Sequence, residues 1–419
     1  MKKYILISIV FIFLFNLSNA QIDTAGYKLW KPLFNSMSTW DDGAFNMSQT
    51  GHPDYGWGIY NNITHGLSGD KIFLIKLQNG TFKQILIEEK NSVSNIYSFR
   101  YADITGENQI IETARCVDHT DNLFLYYSLQ NQTFVERDAV KTAWDIVLTR
   151  FTDTTINYNV TGFLLNESSM ASVYHAPDSI TAENSTLNDT TEFKPEISTI
   201  GNSWYKLSGM SIVPLDTMVY FVKTDANDIY KMQVNYFQSG ASGKGRVGVK
   251  VQKLHPETGS AVYDTLEMGS GYANDVYFSM NNGIILQSPR ASWDIAFKTQ
   301  TYSASVITNS TMGISLYTYP KAGVEAWTSL DVRNGVIENA SVYPNPANDE
   351  VSFISNAWKD NSEIQLTFYN STGQMILNLS QKVNGNSVRI DISNLSDGLY
   401  HVRIINNGQL SVGKVIVSR

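Results

Sequence analysis

Short runs in which β-branched or aromatic residues alternate with polar ones recur along the body of the chain. They are bounded mostly by Asn, Asp, Gly or Ser, residues that favour turns. No segment keeps an apolar period of about 3.6 residues over several turns, so amphipathic helices are not expected. We therefore predict an all-β fold. The clearest runs are residues 71–77, 82–88, 96–101, 123–129, 144–151, 218–223, 230–237, 247–254 and 276–280.

The sequence also repeats itself at a nearly constant distance. Trp144-Asp145-Ile146 is matched 149 residues later by Trp293-Asp294-Ile295. Phe73 is matched 147 residues later by Tyr220, within similar apolar runs, and Trp40-Asp41 begins a shorter copy of the Trp-Asp element. Such spacing predicts copies of one supersecondary unit. In each copy we expect the indole to anchor a module core and the carboxylate to cap backbone N–H groups rather than to act in catalysis.

The repeats divide the chain into four predicted segments. These are a signal peptide (1–20), a first β module (21–140), a second β module with a long loop and a partial third repeat (141–335), and a small C-terminal β-sandwich (339–419). The long loop covers about residues 168–199 and is rich in Ser, Thr, Asn and Asp. A loop of that length in a compact module is usually functional or mobile. The predicted architecture is therefore tandem antiparallel β modules followed by a small sandwich.

The first twenty residues have the pattern of a secretory signal. Lys2 and Lys3 precede an apolar run, and Ser18-Asn19-Ala20 offers a cleavage site that leaves Gln21 first. No later stretch approaches the roughly 20 apolar residues that a membrane helix needs, so no transmembrane segment is expected in the mature chain. The single cysteine, Cys116, allows neither an intramolecular disulfide nor lipidation at the cleavage site, and we expect it to be a buried apolar residue.

The charge balance excludes one class of partner. Lys and Arg number 31 against 39 Asp and Glu, which gives a formal net charge of −8. A phosphate-binding surface normally carries an excess of basic residues, so nucleic acid is not an expected partner.

Four motifs follow one another in the last eighty residues. They are Tyr343-Pro344-Asn345-Pro346, a turn that ends at Gly373, the segment from Leu395 through Gly398 to Tyr400, and a closing run that begins at Lys414. In this order they resemble the type A C-terminal sorting domain of the type IX secretion system. The resemblance implies Sec export, passage across the outer membrane by the type IX machinery, and removal of the sorting domain. It also implies release or attachment at the cell surface through anionic lipopolysaccharide.

The body, over about residues 120–300, resembles the HmuY-like family of secreted haem-binding proteins. The resemblance is carried by Trp144 to Phe151, Val160 to Asn166, Ile200 to Lys206 and Tyr220 to Lys223, together with the echo at Phe278 to Phe297. It implies haem as the cofactor, held between extended loops by two axial side chains. The side chains that can bind the haem iron as axial ligands are the imidazole of His and the thioether of Met.

Three residues are candidate haem ligands. His175 lies in the predicted long loop, near the place of the family's first ligand. At the place of the second ligand this chain has Gly209, and Met210 follows it as a thioether substitute. His65 follows Trp57 by eight residues and is the third candidate. The alternative interpretations are a solvated loop residue for His175, a core residue for Met210 and a turn residue for His65.

The sequence contains no strong catalytic motif. Asp118-His119-Thr120-Asp121 is the nearest cluster of metal-ligating types, and a hydrated turn explains it. The run from Gly240 to Gly245 lacks the spacing of both a nucleophile elbow and a phosphate loop and is predicted to be a hairpin turn. We therefore expect no enzymatic activity.

Three functions remain open at this point. The first is a non-enzymatic protein that binds a ligand, with haem or a host haem protein as the candidate. The second is a structural or adhesive surface protein that binds a glycan or another protein without haem. The third is a secreted hydrolase, which has no positive support. A His and Met pair facing one cavity would favour the first over the second.

Overall fold

The computed structural model describes residues 26–209, 211–319, 340–355, 358–370, 375–406 and 409–419. Within these ranges the secondary structure is almost entirely β-strand, and the ladders between the named strands are antiparallel. The all-β prediction is confirmed. The described residues fall into two compact units, one within Gln21–Gly323 and one within Val324–Arg419. The predicted signal peptide, 1–20, lies outside the described residues.

The strands are numbered in chain order. The first group is β1 (Pro32–Leu33), β2 (Gly58–Tyr60), β3 (Gly66–Gly69), β4 (Phe73–Lys76), β5 (Phe82–Asn91), β6 (Ile96–Asp103), β7 (Ile110–Arg115), β8 (Phe124–Ser128) and β9 (Thr133–Val135). The second group is β10 (Ile146–Asp153), β11 (Tyr158–Leu165), β12 (Met170–His175), β13 (Tyr205–Ser208), β14 (Ser211–Pro214), β15 (Met218–Lys223), β16 (Ile229–Gln238), β17 (Arg246–His255), β18 (Val262–Glu267), β19 (Asn274–Ser279) and β20 (Gly283–Pro289).

The remaining strands complete the first unit and form the second. They are β21 (Ile295–Lys298), β22 (Val306–Thr308), β23 (Ser315–Thr318), β24 (Ser341–Tyr343), β25 (Glu350–Ile354), β26 (Glu363–Asn370), β27 (Met375–Lys382), β28 (Ser387–Asp391), β29 (Gly398–Asn406) and β30 (Gln409–Val417). The helical segments are short. They are α1 (Ser179–Glu183) and 3-10 turns at Tyr27–Leu29, Ala44–Asn46, Cys116–His119, Leu187–Asp189, Ser270–Tyr272, Arg290–Ser292 and Ser310–Met312.

Two sheets form what we call the frame module. Sheet A has the order β1-β23-β4-β5-β3-β2, with β6 paired to β5 and β7 to β6, and sheet B has the order β22-β21-β8-β9. Their facing sides share one apolar core. Phe99 of sheet A contacts Tyr127 and Phe297 of sheet B, with ring centroids 5.1 and 5.0 Å apart. Cys116 is buried in the same core, as predicted for an apolar residue.

Two further sheets form the insert module. Sheet C has the order β11-β10-β19-β20, sheet D has the order β12-β15-β16-β17-β18, and β13 and β14 form a separate hairpin. The core between sheets C and D includes Ile146 and Phe278 from sheet C and Tyr220 and Met232 from sheet D. This sandwich has the same layered plan as the frame module.

The insert module interrupts the frame module in the sequence. Strands β21 to β23 do not form a third copy beside the insert module, because they pair with strands of the frame module. Phe297 of β21 lies opposite Leu125, and Leu316 of β23 lies opposite Ile75. This arrangement differs from the expectation that the partial third repeat belongs to a second module spanning 141–335. The reason is that the apolar side chains of β21 and β23 complete the frame core.

The central strands of sheets B and C are buried on both faces. Along β8, Leu125 and Tyr127 point into the frame core, whereas Phe124 and Tyr126 belong to a separate apolar cluster that also contains Tyr277 of sheet C. Successive side chains of a strand point to opposite faces, so this cluster is the contact between the outer faces of sheets B and C. The first unit therefore has four layers in the order A, B, C, D.

The predicted internal repeat is visible in the hairpin turns. In the β4–β5 turn the N–H of Gly80 donates to the carbonyl of Leu77 at 2.9 Å, and in the β15–β16 turn the N–H of Asn227 donates to Thr224 at the same distance. Gly80 and Asn227 both have a left-handed φ, +86° and +62°. The sequence Asn79-Gly80 between two apolar runs predicts a hairpin with a type I′ turn. The hairpin is present, but Asn79 does not have the positive φ that a type I′ turn requires, so the turn is of another type.

The repeats also exchange partners. The strand that follows one Trp-Asp pair is hydrogen-bonded to the hairpin of the other copy, with Ile146 opposite Phe278 and Ile295 opposite Tyr127. Hairpin β8–β9 and strand β10 are neighbours in the sequence but belong to different modules. Both modules are thus built from parts of both repeats.

The aspartates of the Trp-Asp pairs cap turns, as predicted. A carboxylate oxygen of Asp145 accepts the N–H of Met280 at 2.7 Å, and one of Asp294 accepts the N–H of Gln130 at 3.2 Å. Burial raises the pKa of both carboxyl groups. Their role in the structure is to hold the hairpins in register.

The two indoles lie elsewhere than predicted. Trp144 makes an edge contact with Tyr277 at 5.1 Å and Trp293 one with Tyr126 at 4.9 Å, both in the cluster between sheets B and C. They therefore anchor the contact between the modules rather than the core of either one. The prediction that these two indoles act as anchors is correct, but they anchor the contact between the modules and not a module core.

The predicted long loop, 168–199, contains regular structure. Strand β12 pairs with β15 on the edge of sheet D, and helix α1 begins after Asp178, whose carboxylate accepts the N–H of Thr181 at 2.7 Å. His175 is the last residue of β12 rather than a loop residue. The alternation from Met170 to His175 is too short to be distinguished from a polar loop by pattern alone.

The second unit is a sandwich of two sheets. Sheet E has the order β24-β25-β28 and sheet F the order β27-β26-β29-β30. Their common core includes Phe353, Leu366, Ile390 and Tyr400. Alternating runs at residues 350–355, 363–369, 387–392, 398–405 and 409–418 predict five of its strands, β25, β26, β28, β29 and β30, whereas β24 and β27 are not predicted. Among the residues that the structure describes in either unit, no helix has the length and apolar character needed to cross a membrane.

Candidate functional site

A cavity of about 120 Å³ lies between the outer faces of sheets B and C. The apolar cluster between the two faces does not fill this space. The N-terminal segment 35–42, which we call the strap, forms a further wall. Aromatic and aliphatic lining residues are Trp40 of the strap, Tyr126 and Ile307 of sheet B, and Val147, Leu164 and Tyr277 of sheet C.

A buried ion cluster lines one side of the cavity. The carboxylate of Asp275 receives Nη2 of Arg137 at 2.5 Å and Nε of Arg290 at 3.2 Å, and the hydroxyl of Thr149 donates to it at 2.5 Å. Both arginine side chains are 3% exposed. Charges buried to this extent persist only when they are paired and hydrogen-bonded, and here one carboxylate serves two guanidinium groups.

The guanidinium group of Arg137 is held in a fixed position. It lies 4.8 Å from the ring centroid of Tyr126 and 5.6 Å from that of Trp293, and its Nε donates to the carbonyl of Pro289 at 3.3 Å. With Nη2 bound to Asp275, its Nη1 has no hydrogen-bond partner among the described residues. An arginine offers five N–H donors, so the two N–H groups on Nη1 are available to a ligand.

Asp138 organises the neighbouring tyrosines. One carboxylate oxygen accepts the backbone N–H groups of Leu123 and Phe124 at 3.0 and 3.1 Å, and the other accepts the hydroxyls of Tyr126 and Tyr277 at 3.1 and 2.5 Å. Burial raises the pKa of Asp138 and raises the pKa of both tyrosines well above the usual value. The hydroxyls therefore stay protonated and act as donors to Asp138.

The strap is attached to both modules. The indole N–H of Trp40 donates to the carbonyl of Leu165 in the insert module at 2.9 Å. Asp41 lies 2.6 Å from Nζ of Lys298 in the frame module, and the same ammonium group lies 3.2 Å from Glu167 of the insert module. These bonds fix the wall that the strap contributes to the cavity.

The sequence did not identify this site. Arg137 and Asp275 are 138 residues apart, and no local motif surrounds either of them. The two residues can be recognised as a site only once the four sheets are placed, because the packing of sheets B and C brings them together. The one usable signal is the Trp-Asp repeat, because its two indoles lie beside the cavity.

The three predicted haem ligands do not meet at this cavity. His175 is exposed at the end of β12 on the edge of sheet D, and His65 is exposed in the β2–β3 turn, where its Nδ1 lies 2.7 Å from the hydroxyl of Tyr60. The imidazole of His65 thus contacts a side chain, while its backbone N–H donates to the carbonyl of Asn61 at 2.9 Å. Met210 lies outside the described residues. Neither histidine lines the cavity between sheets B and C.

The first predicted sorting motif holds the last strand of the chain. In Tyr343-Pro344-Asn345-Pro346 the amide of Asn345 donates to the carbonyl of Lys414 at 2.7 Å and accepts the N–H of Ile416 at 2.8 Å. Tyr343 is 74% exposed at the end of β24, and the side chain of Lys414 is exposed. The motif therefore joins the first strand of the second unit to its last.

The later sorting motif is also organised by hydrogen bonds. Gly398 is the first residue of β29, and Tyr400 is buried, with its hydroxyl donating to the carbonyl of Ser396 at 2.8 Å. Gly373, the predicted turn glycine, lies outside the described residues. The described part of the motif forms a closed loop in front of β29.

Arg419 closes the same loop, and no sequence motif predicts this role. Nη1 of Arg419 donates to the carbonyl of Leu395 at 2.5 Å, and its Nη2 donates to the carbonyls of Ile392 and Ser393 at 2.9 Å each. Its Nε lies 3.3 Å from Asp349. One guanidinium group thus ties the end of β30 to the segment between β28 and β29.

Comparison with known proteins assigns the C-terminal part. Residues 341–418 match the family described as secretion system C-terminal sorting domain. The match covers the second unit and leaves the four-layered body unassigned. A sorting domain of this type indicates export by the type IX secretion machinery, followed by secretion or attachment at the cell surface. The predicted sorting domain and localisation are confirmed.

The remaining comparisons are weak. A tetra-tandem repeat from the extending region of a large adhesion protein shows 12% identity and a TM-score of 0.17, over 85% of this chain and 95% of that one. The BSP domain of a biofilm-associated protein shows 9% identity and a TM-score of 0.16, over 82% and 76%. Dimeric latent PorU from Porphyromonas gingivalis shows 9% identity and a TM-score of 0.16, over 84% and 30%. At such TM-scores these likenesses assign neither a fold nor a function. No curated protein matches the chain.

Proposed function

We propose that this protein is a non-enzymatic ligand-binding protein that works outside the cell after export by the type IX machinery. The observation that carries the proposal is the cavity between sheets B and C, where a buried arginine presents unpaired N–H groups beside aromatic side chains. Pockets that combine an apolar wall with a few convergent polar groups are the usual form of a small-molecule site.

The chemistry of the cavity favours binding over catalysis. A general base needs a carboxylate or imidazole that is free to take a proton. The carboxylate of Asp275 is occupied by Arg137, Arg290 and Thr149, and that of Asp138 by four donors. Asp42, the other acidic lining residue, accepts a hydrogen bond from the amide of Gln49 at 2.8 Å. In the part of the chain that the structure describes, no group of three or more His, Cys, Asp or Glu is placed to hold a metal ion. These features support a site that holds its ligand without transforming it.

An adhesive function is the second candidate, and one observation favours it. Two repeat-related hairpins expose large apolar side chains. Ile63, in the turn between β2 and β3, is 89% exposed, and Leu207, in strand β13, is 70% exposed. The hairpins follow Trp57 and Trp204, which are both fully buried and 147 residues apart. Exposed apolar side chains on fixed hairpins are typical of contacts with another macromolecule.

Haem remains a prediction that rests on the resemblance of the body to the HmuY-like family. A cavity of about 150 Å³ holds one benzene molecule. The macrocycle of haem is several times larger, so the cavity between sheets B and C is not its site. The candidate ligands for haem are the exposed His175 and His65, together with Met210.

Ligand binding is best tested on the chain from Gln21 to Arg419, by thermal unfolding in the presence of small acids, sugars, glycans and haem. A ligand that binds the native state raises the melting temperature in a concentration-dependent way. The matched variant is Ser310→Trp, since Ser310 is a half-buried lining residue and the indole fills space without removing a charge. We expect a small ligand to stabilise the wild type and not this variant.

The other outcomes separate the candidates. Stabilisation only by a glycan or protein, unchanged in Ser310→Trp and lost in Ile63→Ser or Leu207→Ser, would replace the proposal with the adhesive function. A saturable Soret band that disappears in His175→Ala, His65→Ala or Met210→Ala would establish haem as the ligand. Turnover of any of these compounds would refute the non-enzymatic assignment.

A further inference from the structure

We infer that the cavity between sheets B and C recognises a carboxylate group, with Nη1 of Arg137 as the donor that selects it. This inference rests on the proposed function and names the ligand class of the same site. It starts from the charges that face the cavity. Three lining residues are cationic, Arg137, Arg150 and Arg290, and two are anionic, Asp42 and Asp275.

The buried charges do not balance. Asp275 pairs with both Arg137 and Arg290, whose side chains are each 3% exposed, and the buried carboxylate of Asp138 also interacts with Arg137. These two carboxylates offset two guanidinium groups, and the guanidinium group of Arg150 has no acidic partner among the described residues. Charged groups attract one another more strongly in a site from which water is excluded, so the remaining positive charge favours an anionic ligand.

Arg137 has the geometry of a receptor for such a ligand. Its guanidinium plane is fixed by Asp275 at one edge and by the rings of Tyr126 and Trp293, so no side-chain freedom is lost when a further acceptor binds. The N–H groups of Nη1 can form charge-assisted hydrogen bonds with a carboxylate oxygen, and such bonds are about twice as strong as neutral ones. Neutral ligands could use the same N–H groups but would leave the charge uncompensated.

Arg150 adds a second positive charge to the same cavity. Its guanidinium group lies 4.8 Å from the ring centroid of Tyr272, and its Nη2 donates to the carbonyl of Asn159 at 2.7 Å. No acidic side chain is paired with it among the described residues. Arg150 lines the same cavity as Arg137 and Asp275.

The size of the cavity limits the rest of the ligand. A volume of about 120 Å³ is somewhat below that of a cavity that holds one benzene ring. A carboxylate with a short chain or one sugar ring at the mouth is compatible with this space. The two sources of such a group are a free organic acid and the acidic sugar of a glycan, and they share the carboxylate that Arg137 recognises.

The experiment uses the chain from Gln21 to Arg419 and isothermal titration calorimetry with matched compounds. Acetate and succinate represent free acids, glucuronate and galacturonate represent acidic sugars, and glucose and galactose are the neutral counterparts. We expect a carboxylate to bind and its neutral counterpart not to bind. In Arg137→Gln the affinity should fall by about tenfold or more, because a hydrogen bond to a charged group is lost. Arg115→Gln is the matched control, since Arg115 is 56% exposed and far from the cavity lining.

Each result has a definite consequence. Binding of the two acidic sugars but not of the free acids would identify glycans as the source of the ligand. Binding of the free acids but not of the acidic sugars would identify small metabolites as its source. Either result supports the inference. Equal binding of glucose and glucuronate, abolished by Ser310→Trp but not by Arg137→Gln, would overturn the carboxylate assignment and leave the proposed function intact. Absence of binding by all six compounds to the wild type would overturn the inference, and the broader ligand screen described above would then decide the proposed function.

Arg137→Gln also removes an ion pair with Asp275 and lowers stability. If this variant does not fold, two comparisons that do not depend on it still decide the matter. One is acidic against neutral sugar on the wild type, and the other is wild type against Ser310→Trp. Carboxylate-selective binding that Ser310→Trp abolishes supports the inference, whereas binding that is indifferent to the carboxylate refutes it.

Discussion

Replacement of Asp138 by alanine tests whether the polar network between sheets B and C stabilises the body. Four donors would lose their acceptor: two backbone N–H groups, from Leu123 and Phe124, and the hydroxyls of Tyr126 and Tyr277. At about 1 to 1.5 kcal/mol for each hydrogen bond, the loss is about 4 to 6 kcal/mol. Because burial of the carboxylate is itself unfavourable, we expect a net decrease of about 3 to 5 kcal/mol in the free energy of unfolding.

Asp138→Asn is the informative companion variant. Its amide oxygen can still accept the two backbone N–H groups, and its NH₂ group can donate to the two tyrosine hydroxyls, which accept as well as donate. We therefore expect a decrease of only about 1 to 2 kcal/mol. The assay is urea unfolding of the chain from Gln21 to Arg419, followed by tryptophan fluorescence, since Trp144 and Trp293 lie in the same contact.

The control is Asp118→Ala, because Asp118 is 53% exposed and pairs only with the equally exposed Arg115. Its effect should stay within about 0.5 kcal/mol. An alanine variant of Asp138 that unfolds within about 1 kcal/mol of the wild type would refute the reasoning. So would equal losses for the alanine and asparagine variants, since they would show that the four donors do not depend on an acceptor at this position.

Three further predictions concern other parts of the chain. Asp294→Ala should increase amide hydrogen exchange at Gln130, whose N–H it leaves without its acceptor, and leave Met280 protected; equal exchange at both sites would contradict this. Arg419→Ala removes three hydrogen bonds to carbonyls and should lower the melting temperature of the second unit and the amount of protein exported, as measured by fractionation, whereas Arg389→Ala, an exposed control, should not. Burial lowers the pKa of Lys90 to about 8. Between about pH 8 and 10.4 the unfolded state binds more protons, so the free energy of unfolding of the wild type should rise with pH relative to Lys90→Met, and a flat difference would be evidence against the shift.

The carboxyl group of Asp138 gives a pH dependence of opposite sign. Burial raises its pKa, so above the unfolded value of about 3.9 the folded state binds more protons than the unfolded state. The stability that this group contributes is greatest at low pH and falls as the pH rises through the folded pKa. The wild type should therefore lose stability relative to Asp138→Asn as the pH is raised from about 4. A difference that grows in the opposite direction would show that the four donors outweigh burial.

The sequence predicted local elements well because local alternation decides them. The run Phe124-Leu125-Tyr126-Tyr127 is apolar on both sides, and it is a strand buried on both faces. What the pattern does not contain is the partner of each face. An apolar run of this kind is equally compatible with one thick core and with two separate ones.

Pairing between distant segments is the part that the sequence did not reveal. The spacing of the Trp-Asp elements predicted copies of one unit, and capping by Asp145 and Asp294 followed from it. The spacing does not say that the strand of one copy pairs with the hairpin of the other. A tandem arrangement satisfies the same local patterns, so the insertion of one module in the other became visible only in the strand ladders.

The candidate site depends on the same exchange of partners. Arg137 lies after β9 in the frame module, and Asp275 lies on β19 in the insert module. Their ion pair, 138 residues apart in sequence, exists only because the outer faces of sheets B and C meet. No sequence motif could mark such a pair, because neither residue belongs to a recognisable local pattern.

The exchange of strands between the repeats also explains why a binding site would lie at this contact. The chain crosses from the frame module to the insert module between β9 and β10 and returns between β20 and β21, and the indoles of Trp144 and Trp293 on these two connections pack in the contact between the modules. Sheets B and C are therefore held at a fixed separation, and the strap adds bonds to both sides. A site whose walls are rigid strands can keep a charged group such as Arg137 in one orientation before the ligand arrives. The duplication that built the fold thus created, between its two copies, a surface that neither copy has alone.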